Sequence, residues 1–178
     1  EHAATVPDCP LLLTSLLGLE SQFASSDQMN VLIQLAVSMR NHGRGGSLLV
    51  TSAGSESWRE SSLHPMLYSV VPAFSGLAQL MQSDADEKPK RRWRDLLARA
   101  VDAIAGLTAV DGATVINTDY DLLAFGAKII RRPKSPVVDQ LIATEPVEGS
   151  SPAIVDPTQI GGTRHFSAAQ FVHDQRDS

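Results

Sequence analysis

A short stretch near the C-terminus combines residue types that together bind phosphate. Two glycines precede Thr163, Arg164 and His165. Glycines let the backbone approach an anion closely, and a guanidinium group can hold two phosphate oxygens at once. The threonine adds a hydroxyl group that can donate a further hydrogen bond. The sequence therefore predicts phosphate binding here, and we call residues 162–165 the Gly-Thr-Arg-His segment.

The residues after this segment are predicted to form a helix over 167–172. The first-turn N–H groups of such a helix point toward the same anion, so Ser167 joins Gly162 and Thr163 as a candidate phosphate-binding residue. The simpler alternative is a turn before a short surface helix, with Arg164 in solvent. Both interpretations remain open from this segment alone.

A second stretch could hold a metal ion or a ribose. Asp111, Gly112 and Ala113 follow a predicted helix and open a predicted strand. A carboxylate beside a glycine at the entrance of a strand can reach a metal ion or a sugar hydroxyl. Asp119 and Asp121, in contrast, lie in a predicted turn, where carboxylates most often accept hydrogen bonds from their own backbone. Asp111 is therefore the candidate metal ligand.

These two stretches, in this order, resemble the diadenylate cyclase (DAC) domain of the DNA-integrity-scanning protein family. The marks of that family are Asp-Gly-Ala and Gly-Thr-Arg-His-Arg. The resemblance also takes in Gly-Ser-Leu-Leu-Val at 46–50 and Ala-Phe-Gly-Ala at 124–127. It covers about residues 27–172, although 51–92 looks unlike the cyclases. It implies an α/β domain, Asp111 and the Gly-Thr-Arg-His segment at one nucleotide, and further core strands after that segment, which this sequence lacks.

Phe166 stands where the cyclases carry their second arginine. In this respect the chain looks closer to a divergent branch, often called DACNV, that is predicted to serve as a nucleotide sensor in bacterial signalling and conflict systems. A phenylalanine supplies no hydrogen-bond donor to a triphosphate. The resemblance therefore favours a sensor that binds ATP or a cyclic (di)nucleotide. It also implies that Phe166→Arg would tighten triphosphate binding.

An active diadenylate cyclase is the alternative function. As the resemblance implies, two such domains would meet face to face in a homo-oligomer, and the 3′-hydroxyl of one ATP would attack the α-phosphate of the other. Asp111 would bind Mg²⁺ or Mn²⁺ or activate that hydroxyl, with Arg164 and His165 as the other catalytic residues. The nucleotide would contact Gly112, Ala113, Gly162, Thr163, Arg164, His165 and Ser167. A third interpretation, a structural domain without a ligand, also stays open.

Bulk properties limit the class of protein. With 178 residues, 43% of them hydrophobic, the chain can bury one core, with residues 1–25 as an appendage. The net charge of −5 argues against broad nucleic-acid binding. Cys9 is the only cysteine, so no intrachain disulfide forms and a cytoplasmic location is expected. The apolar run at 11–19 is far shorter than the ~20 residues that span a bilayer, so no membrane contact is expected.

Hydrophobic periodicity predicts the elements that position these residues. An apolar stripe recurs with helical spacing over 27–41 and, most clearly, over 93–105. Apolar runs of strand length lie at 47–51, 113–117 and 122–129, and the last two form a β-hairpin. Together these elements predict a mixed central sheet flanked by the two helices.

The remaining segments are predicted as connectors, apart from a helix over 73–82. The glycine-rich residues 43–46 precede a strand, the reverse of the usual phosphate-binding order, so they are predicted as a flexible turn. The proline-rich residues 131–160 are predicted as a long loop or lid. A basic cluster is predicted as a solvated loop and comprises Lys128, Arg131, Arg132 and Lys134.

Overall fold

The fold has a mixed four-stranded sheet with helices on its faces. The computed structural model describes residues 31–83, 91–143 and 153–175. The strands are β1 (Ser47–Thr51), β2 (Ser69–Phe74), β3 (Ala113–Asn117) and β4 (Leu122–Ala127), in the spatial order β1-β3-β4-β2. Only β1 and β3 are parallel, and the other two pairs are antiparallel. A separate small hairpin pairs β5 (Leu141–Ala143) with β6 (Ala153–Val155).

Five helices accompany the sheet within the described residues. They are α1 (Val31–His42), α2 (Gly76–Met81), α3 (Arg91–Leu107), α4 (Pro157–Ile160) and α5 (Thr163–Asp174), and a 3₁₀ helix spans Ser57–Ser61. None of them is long and apolar enough to cross a membrane. The predicted helix at 27–41 is confirmed from Val31 onward, and its first four residues lie outside the described part of the chain.

One face of the sheet is covered by α1, α2 and α3. The apolar stripe of α3 buries Leu97, Val101 and Ile104 against Ile116 and Leu122 of the sheet. The prediction of an amphipathic helix over 93–105 is thus confirmed, with two more residues at each end. Burial of such aliphatic side chains contributes about 1.5–3 kcal/mol each.

The opposite face is covered by α5 and the 3₁₀ helix. Trp58 and Phe171 are fully buried there against Leu49, Val115 and Ala124. Because the sheet has a layer on each side, all five residues of β3 are buried. This explains why residues 113–116 of β3 form a continuous apolar and threonine run rather than an alternating one.

Some predicted boundaries differ from the structure. β1 and β3 have their predicted bounds, whereas β4 ends at Ala127, two residues before the predicted end. Residues 69–74 form β2 where the sequence predicted a helix from residue 73. Pro72 is compatible with β2 because this strand lies at the edge of the sheet, where one N–H group needs no partner. The predicted loop 131–160 contains β5, β6 and α4, while residues 1–25 and 144–152 lie outside the described part.

Candidate functional site

The starts of β1 and β3 and the end of β4 lie side by side at one end of the sheet. Ser47 of β1 pairs with Ala113 of β3, and Ala127 of β4 lies opposite the same alanine. Together with the first turn of α5, these strand ends enclose an open pocket of about 180 Å³. Its walls are formed by Ser47, Leu49, Asp111, Gly112, Ala113, Ala127, Lys128, Ile129, Thr163, Arg164, Ser167 and Ala168.

The pocket unites most of the residues singled out from the sequence. Both predicted stretches contribute to it, although some fifty positions separate them along the chain. The predicted site residues on its walls are Asp111, Gly112, Ala113, Thr163, Arg164 and Ser167. Gly162 and His165 are not on its walls. The His165 ring instead packs over Gly161, where an added Cβ would lie 2.3 Å from the ring Nδ1.

The N-terminus of α5 presents free backbone donors. The helix begins at Thr163, so the sequence-based start at residue 167 is wrong by one turn. Gly162 is the N-cap residue and has no side chain to cap the helix. The N–H groups of His165 and Phe166 point to the Gly162 carbonyl, whereas those of Thr163 and Arg164 have no acceptor among the described residues. Two donors therefore remain available at the positive end of a helix.

The Arg164 guanidinium lies against the glycine-rich turn that precedes β1. A Cβ atom added to Gly45 would approach Arg164 Nη1 to 2.8 Å. The turn is itself fixed by His42, whose Nδ1 accepts from the N–H of Arg44 at 3.1 Å and whose Nε2 lies 3.1 Å from Thr108 Oγ1. The sequence predicted only a flexible turn here. The structure shows that its lack of a side chain at residue 45 leaves space for the guanidinium.

Asp111 is the exposed acidic group of the pocket. Its side chain is 87% exposed and forms an ion pair and hydrogen bond with Lys128, which is 51% exposed. The hydrogen bond from Lys128 and the charge of Lys128 lower the pKa of Asp111, and the charge of Arg164 adds to this effect. Asp111 is therefore ionised at neutral pH and lies in the field of two cations.

Gly112 has a structural reason to be a glycine. Its φ is +124°, and an added Cβ would lie 2.5 Å from the carbonyl carbon of Gly126 on β4. Both the left-handed backbone and the close approach exclude a side chain. Gly112 thus lets the chain pass close to β4 between Asp111, on the pocket wall, and the start of β3.

Lys128 is the principal pocket residue that sequence reasoning missed. The sequence predicts it only as part of a basic cluster in a solvated loop. The antiparallel register, with Ala113 opposite Ala127, brings the residue after β4 beside the residue before β3. The hairpin prediction could have indicated this, since it already placed the end of one strand beside the start of the other.

Comparisons with known proteins add no match: no protein-family model fits the chain, and no curated protein or solved structure shows significant similarity to it. The chemistry of the pocket is therefore the basis for a functional argument. That chemistry is cationic, with free backbone donors, one hydroxyl on each of Ser47, Thr163 and Ser167, and one carboxylate.

The size of the pocket limits what it can enclose. Sites that bury whole drug-sized ligands have volumes of about 300–1,000 Å³. The pocket is smaller than that range. It can take a phosphate-bearing part of a ligand, while the remainder would lie outside.

A metal ion fits the pocket only with help from a ligand. Within residues 31–83, 91–143 and 153–175, no group of three or more His, Cys, Asp or Glu side chains could hold a metal ion. Mg²⁺ is commonly bound by one or two carboxylates together with substrate phosphates and water. Asp111 could act as such a single carboxylate once phosphate oxygens complete the coordination.

Proposed function

We propose that this domain is a nucleotide-binding sensor or regulatory domain that holds ATP or a cyclic dinucleotide by its phosphates. The observation that carries the proposal is the convergence of unpaired donors on one pocket. The N–H groups of Thr163 and Arg164, the Thr163 hydroxyl and the Arg164 guanidinium all lie where α5 begins. A cytoplasmic location, where ATP is available, accompanies this proposal.

A phosphate at the start of α5 gains from several interactions at once. The helix dipole favours an anion there, and the two free N–H groups donate to it. Arg164 adds a charge-assisted hydrogen bond, which is roughly twice as strong as a neutral one. Ser167, one turn further along α5, offers another hydroxyl on the same wall.

Asp111 supplies the second half of the proposed nucleotide site. It lines the same pocket as the start of α5 and can accept from a ribose hydroxyl or, when ATP is bound, ligate Mg²⁺ or Mn²⁺ together with phosphate oxygens. The two stretches that carry the resemblance to diadenylate cyclases thus contribute to one pocket. This supports assigning the α/β fold to the DAC-like class and, within it, to the sensor branch.

Phe166 favours nucleotide binding without turnover over cyclase activity. It cannot supply the donors of the second arginine found in the cyclases. Loss of one group that stabilises a transferring phosphoryl can cost on the order of 10³-fold or more in rate, whereas ground-state binding survives on the remaining contacts. Cyclase activity of a face-to-face homo-oligomer is the outcome that would replace our proposal.

Thermal unfolding of the 178-residue chain with ATP, cyclic di-AMP or adenosine tests the proposal. A specific ligand at 100 times its Kd adds about 2.7 kcal/mol to the free energy of unfolding. We expect ATP or cyclic di-AMP to stabilise the wild type and adenosine, which has no phosphate, to leave it unchanged. Arg164→Ala should remove the effect, whereas Arg99→Ala, an exposed arginine on the far helical layer, should preserve it.

Two results would contradict the proposal. Equal stabilisation by adenosine, or undiminished stabilisation of Arg164→Ala, would show that the pocket does not recognise phosphate. Incubation with ATP and Mn²⁺ or Mg²⁺, followed by chromatography, should yield no cyclic di-AMP. Formation of that product would identify the domain as an active cyclase.

A further inference from the structure

We infer that Lys128 is a second phosphate-binding cation, and that in the free domain the Asp111 carboxylate competes with the ligand phosphate for it. Binding then exchanges one anion for another: the carboxylate leaves Lys128 Nζ and a phosphate takes its position. The inference rests on the proposed function, and it identifies a residue and a regulatory contact within the same site.

The position of Lys128 is the first argument. Lys128 lies on the pocket wall together with Thr163 and Arg164. The hairpin register fixes its backbone beside Gly112, so the sheet holds the base of its side chain next to the pocket. Leu63 N–H also donates to the Lys128 carbonyl at 2.8 Å, which ties the residue to the neighbouring segment.

The weakness of the ion pair is the second argument. Both side chains are more than half exposed. Exposed ion pairs contribute little to the free energy of unfolding, because water and salt screen the two charges. The pair is therefore readily broken by a better anion. The terminal phosphate of ATP carries more negative charge than a carboxylate, and it also gains the N–H groups of α5, which Asp111 does not contact.

The arrangement of charges is the third argument. Lys128 and Arg164 both act on Asp111, and their charges lower its pKa. The carboxylate therefore lies in the positive field that a phosphate group would enter. Asp111 neutralises part of that field while the ligand is absent, so it should weaken the binding of an anion.

The competitor role and the metal-ligand role predict opposite effects of one substitution. If Asp111 only ligates a metal ion, Asp111→Asn should weaken ATP binding in Mg²⁺ and change nothing in its absence. If Asp111 competes for Lys128, Asp111→Asn should tighten ATP binding in EDTA. The measurement is therefore made without divalent metal, by calorimetric titration of ATP into the full chain at low ionic strength.

In EDTA we expect Asp111→Asn to bind ATP about two- to fivefold more tightly than the wild type, as expected when an exposed ion pair no longer competes. The gain should shrink as salt rises from low to physiological concentration. Lys128→Met should bind ATP about tenfold more weakly, through loss of a charge-assisted hydrogen bond. In the Lys128→Met background, the gain from Asp111→Asn should differ from the gain in the wild type, since the competition for Lys128 is absent and the two residues act as a coupled pair.

Two control variants each remove a charge of the same sign outside the pocket. Asp119→Asn deletes an exposed carboxylate in the hairpin turn, at the opposite end of β3, and Lys134→Met deletes an exposed ammonium group outside the pocket walls. Both should leave ATP affinity within about twofold of the wild type, because removing one distant, screened charge changes little.

The outcomes separate this inference from the proposed function. ATP binding that depends on Arg164 but is unchanged in Lys128→Met, or is not tightened by Asp111→Asn in EDTA, overturns the inference and leaves the proposed function standing. Absence of binding by both the wild type and Asp111→Asn overturns the proposed function and the inference with it. Binding by Asp111→Asn alone supports both, because the competing carboxylate would then have masked the site.

Discussion

The two ends of α5 treat their polar groups in opposite ways. At the N-terminal end, Arg164 is exposed, and the first two N–H groups have no acceptor among the described residues. At the C-terminal end, the Asp174 side chain is fully buried and accepts hydrogen bonds from the Arg132 N–H at 2.7 Å, from Gln170 Nε2 at 2.8 Å and from the Ser135 hydroxyl. Satisfied groups hold the fold together, whereas unsatisfied donors beside a pocket are available to a ligand.

The carboxylates near these ends show the same contrast. Lys128 lowers the pKa of Asp111 at the surface. Burial raises the pKa of Asp174, but the hydrogen bonds from Arg132, Ser135 and Gln170 outweigh it, so that pKa also lies below its usual value. A lowered pKa alone therefore does not identify a functional residue. What distinguishes Asp111 is that its partner is exposed and exchangeable.

The largest expected effect comes from the C-terminal end of α5. Asp174→Asn keeps the shape of the side chain but places an amide donor among groups that donate, so at least one buried hydrogen bond is lost. We expect the free energy of unfolding at pH 7 to fall by about 2–3 kcal/mol, measured by urea titration. Asp139→Asn, which removes an exposed carboxylate from the loop that packs against α5, should change it by less than about 0.5 kcal/mol.

The pH dependence of this difference provides a second readout. A carboxyl group with a depressed folded-state pKa stabilises the fold above its unfolded pKa of about 3.9, and that stabilisation is lost as pH falls through the folded pKa. The gap between wild type and Asp174→Asn should therefore be full at pH 6–7 and shrink below about pH 4. A gap that stays constant down to the lowest pH of native folding would show that Asp174 is not held as a buried carboxylate.

A smaller effect is expected in the glycine-rich turn that contacts Arg164. Alanine substitutions at two of its glycines should distinguish backbone strain from an effect on ligand binding. Gly45 and Gly43 have nearly the same left-handed φ, +66° and +65°, but only an added Cβ at residue 45 meets a neighbour, Arg164 Nη1. Replacing either glycine by alanine should cost about 1 kcal/mol of stability. Because the end of an arginine side chain moves easily, Gly45→Ala should shift the guanidinium rather than the fold.

Gly45→Ala should therefore weaken ATP binding about three- to tenfold, through displacement of one charged hydrogen-bond donor, while Gly43→Ala should leave it unchanged. Calorimetric titration of ATP into both variants provides the comparison. Equal affinities of the two variants would show that the guanidinium position next to the glycine turn does not matter for the ligand.

The sequence predicted most of the fold because its main signals are local. The stripe of α3 and the apolar runs of β1 and β3 need only the spacing of neighbouring residues. The start of α5 was misplaced because Gly162 provides no capping side chain and Thr163 is a weak helix former. β2 was missed because Pro72 argues against a central strand, and the sequence does not show which strand lies at an edge.

The site was only partly predictable for a different reason. The Asp111 and Arg164 stretches were recognised by their residue types, but the Asp111–Lys128 pair depends on the register of the hairpin. The Asp174 network depends on contacts between residues that lie about forty positions apart, such as Arg132 and Asp174. Neither a motif nor a period encodes such pairs. The Asp111–Lys128 pair follows from the hairpin register, and the Asp174 network follows from the packing of residues 132–138 against α5.

The smallest expected effect concerns Phe166, on the first turn of α5. The pocket is lined by Thr163, Arg164, Ser167 and Ala168, whose spacing of one, three and four residues defines one face of the helix. Phe166 is half-buried and is not on the pocket wall. From the structure we therefore expect Phe166→Arg to change the ground-state affinity for ATP, as distinct from any turnover, by less than about twofold, because an arginine two residues from Arg164 on a helix does not face the same side.

This expectation opposes the one drawn from the cyclase motif, in which a second arginine at this position tightens triphosphate binding. Calorimetric titration of ATP decides between them, with Phe166→Leu as the control for loss of the aromatic ring. A severalfold gain in Phe166→Arg, but not in Phe166→Leu, would mean that the triphosphate extends around α5 beyond the pocket. The ligand-binding surface at the N-terminal end of α5 would then be larger than the pocket and would include residue 166.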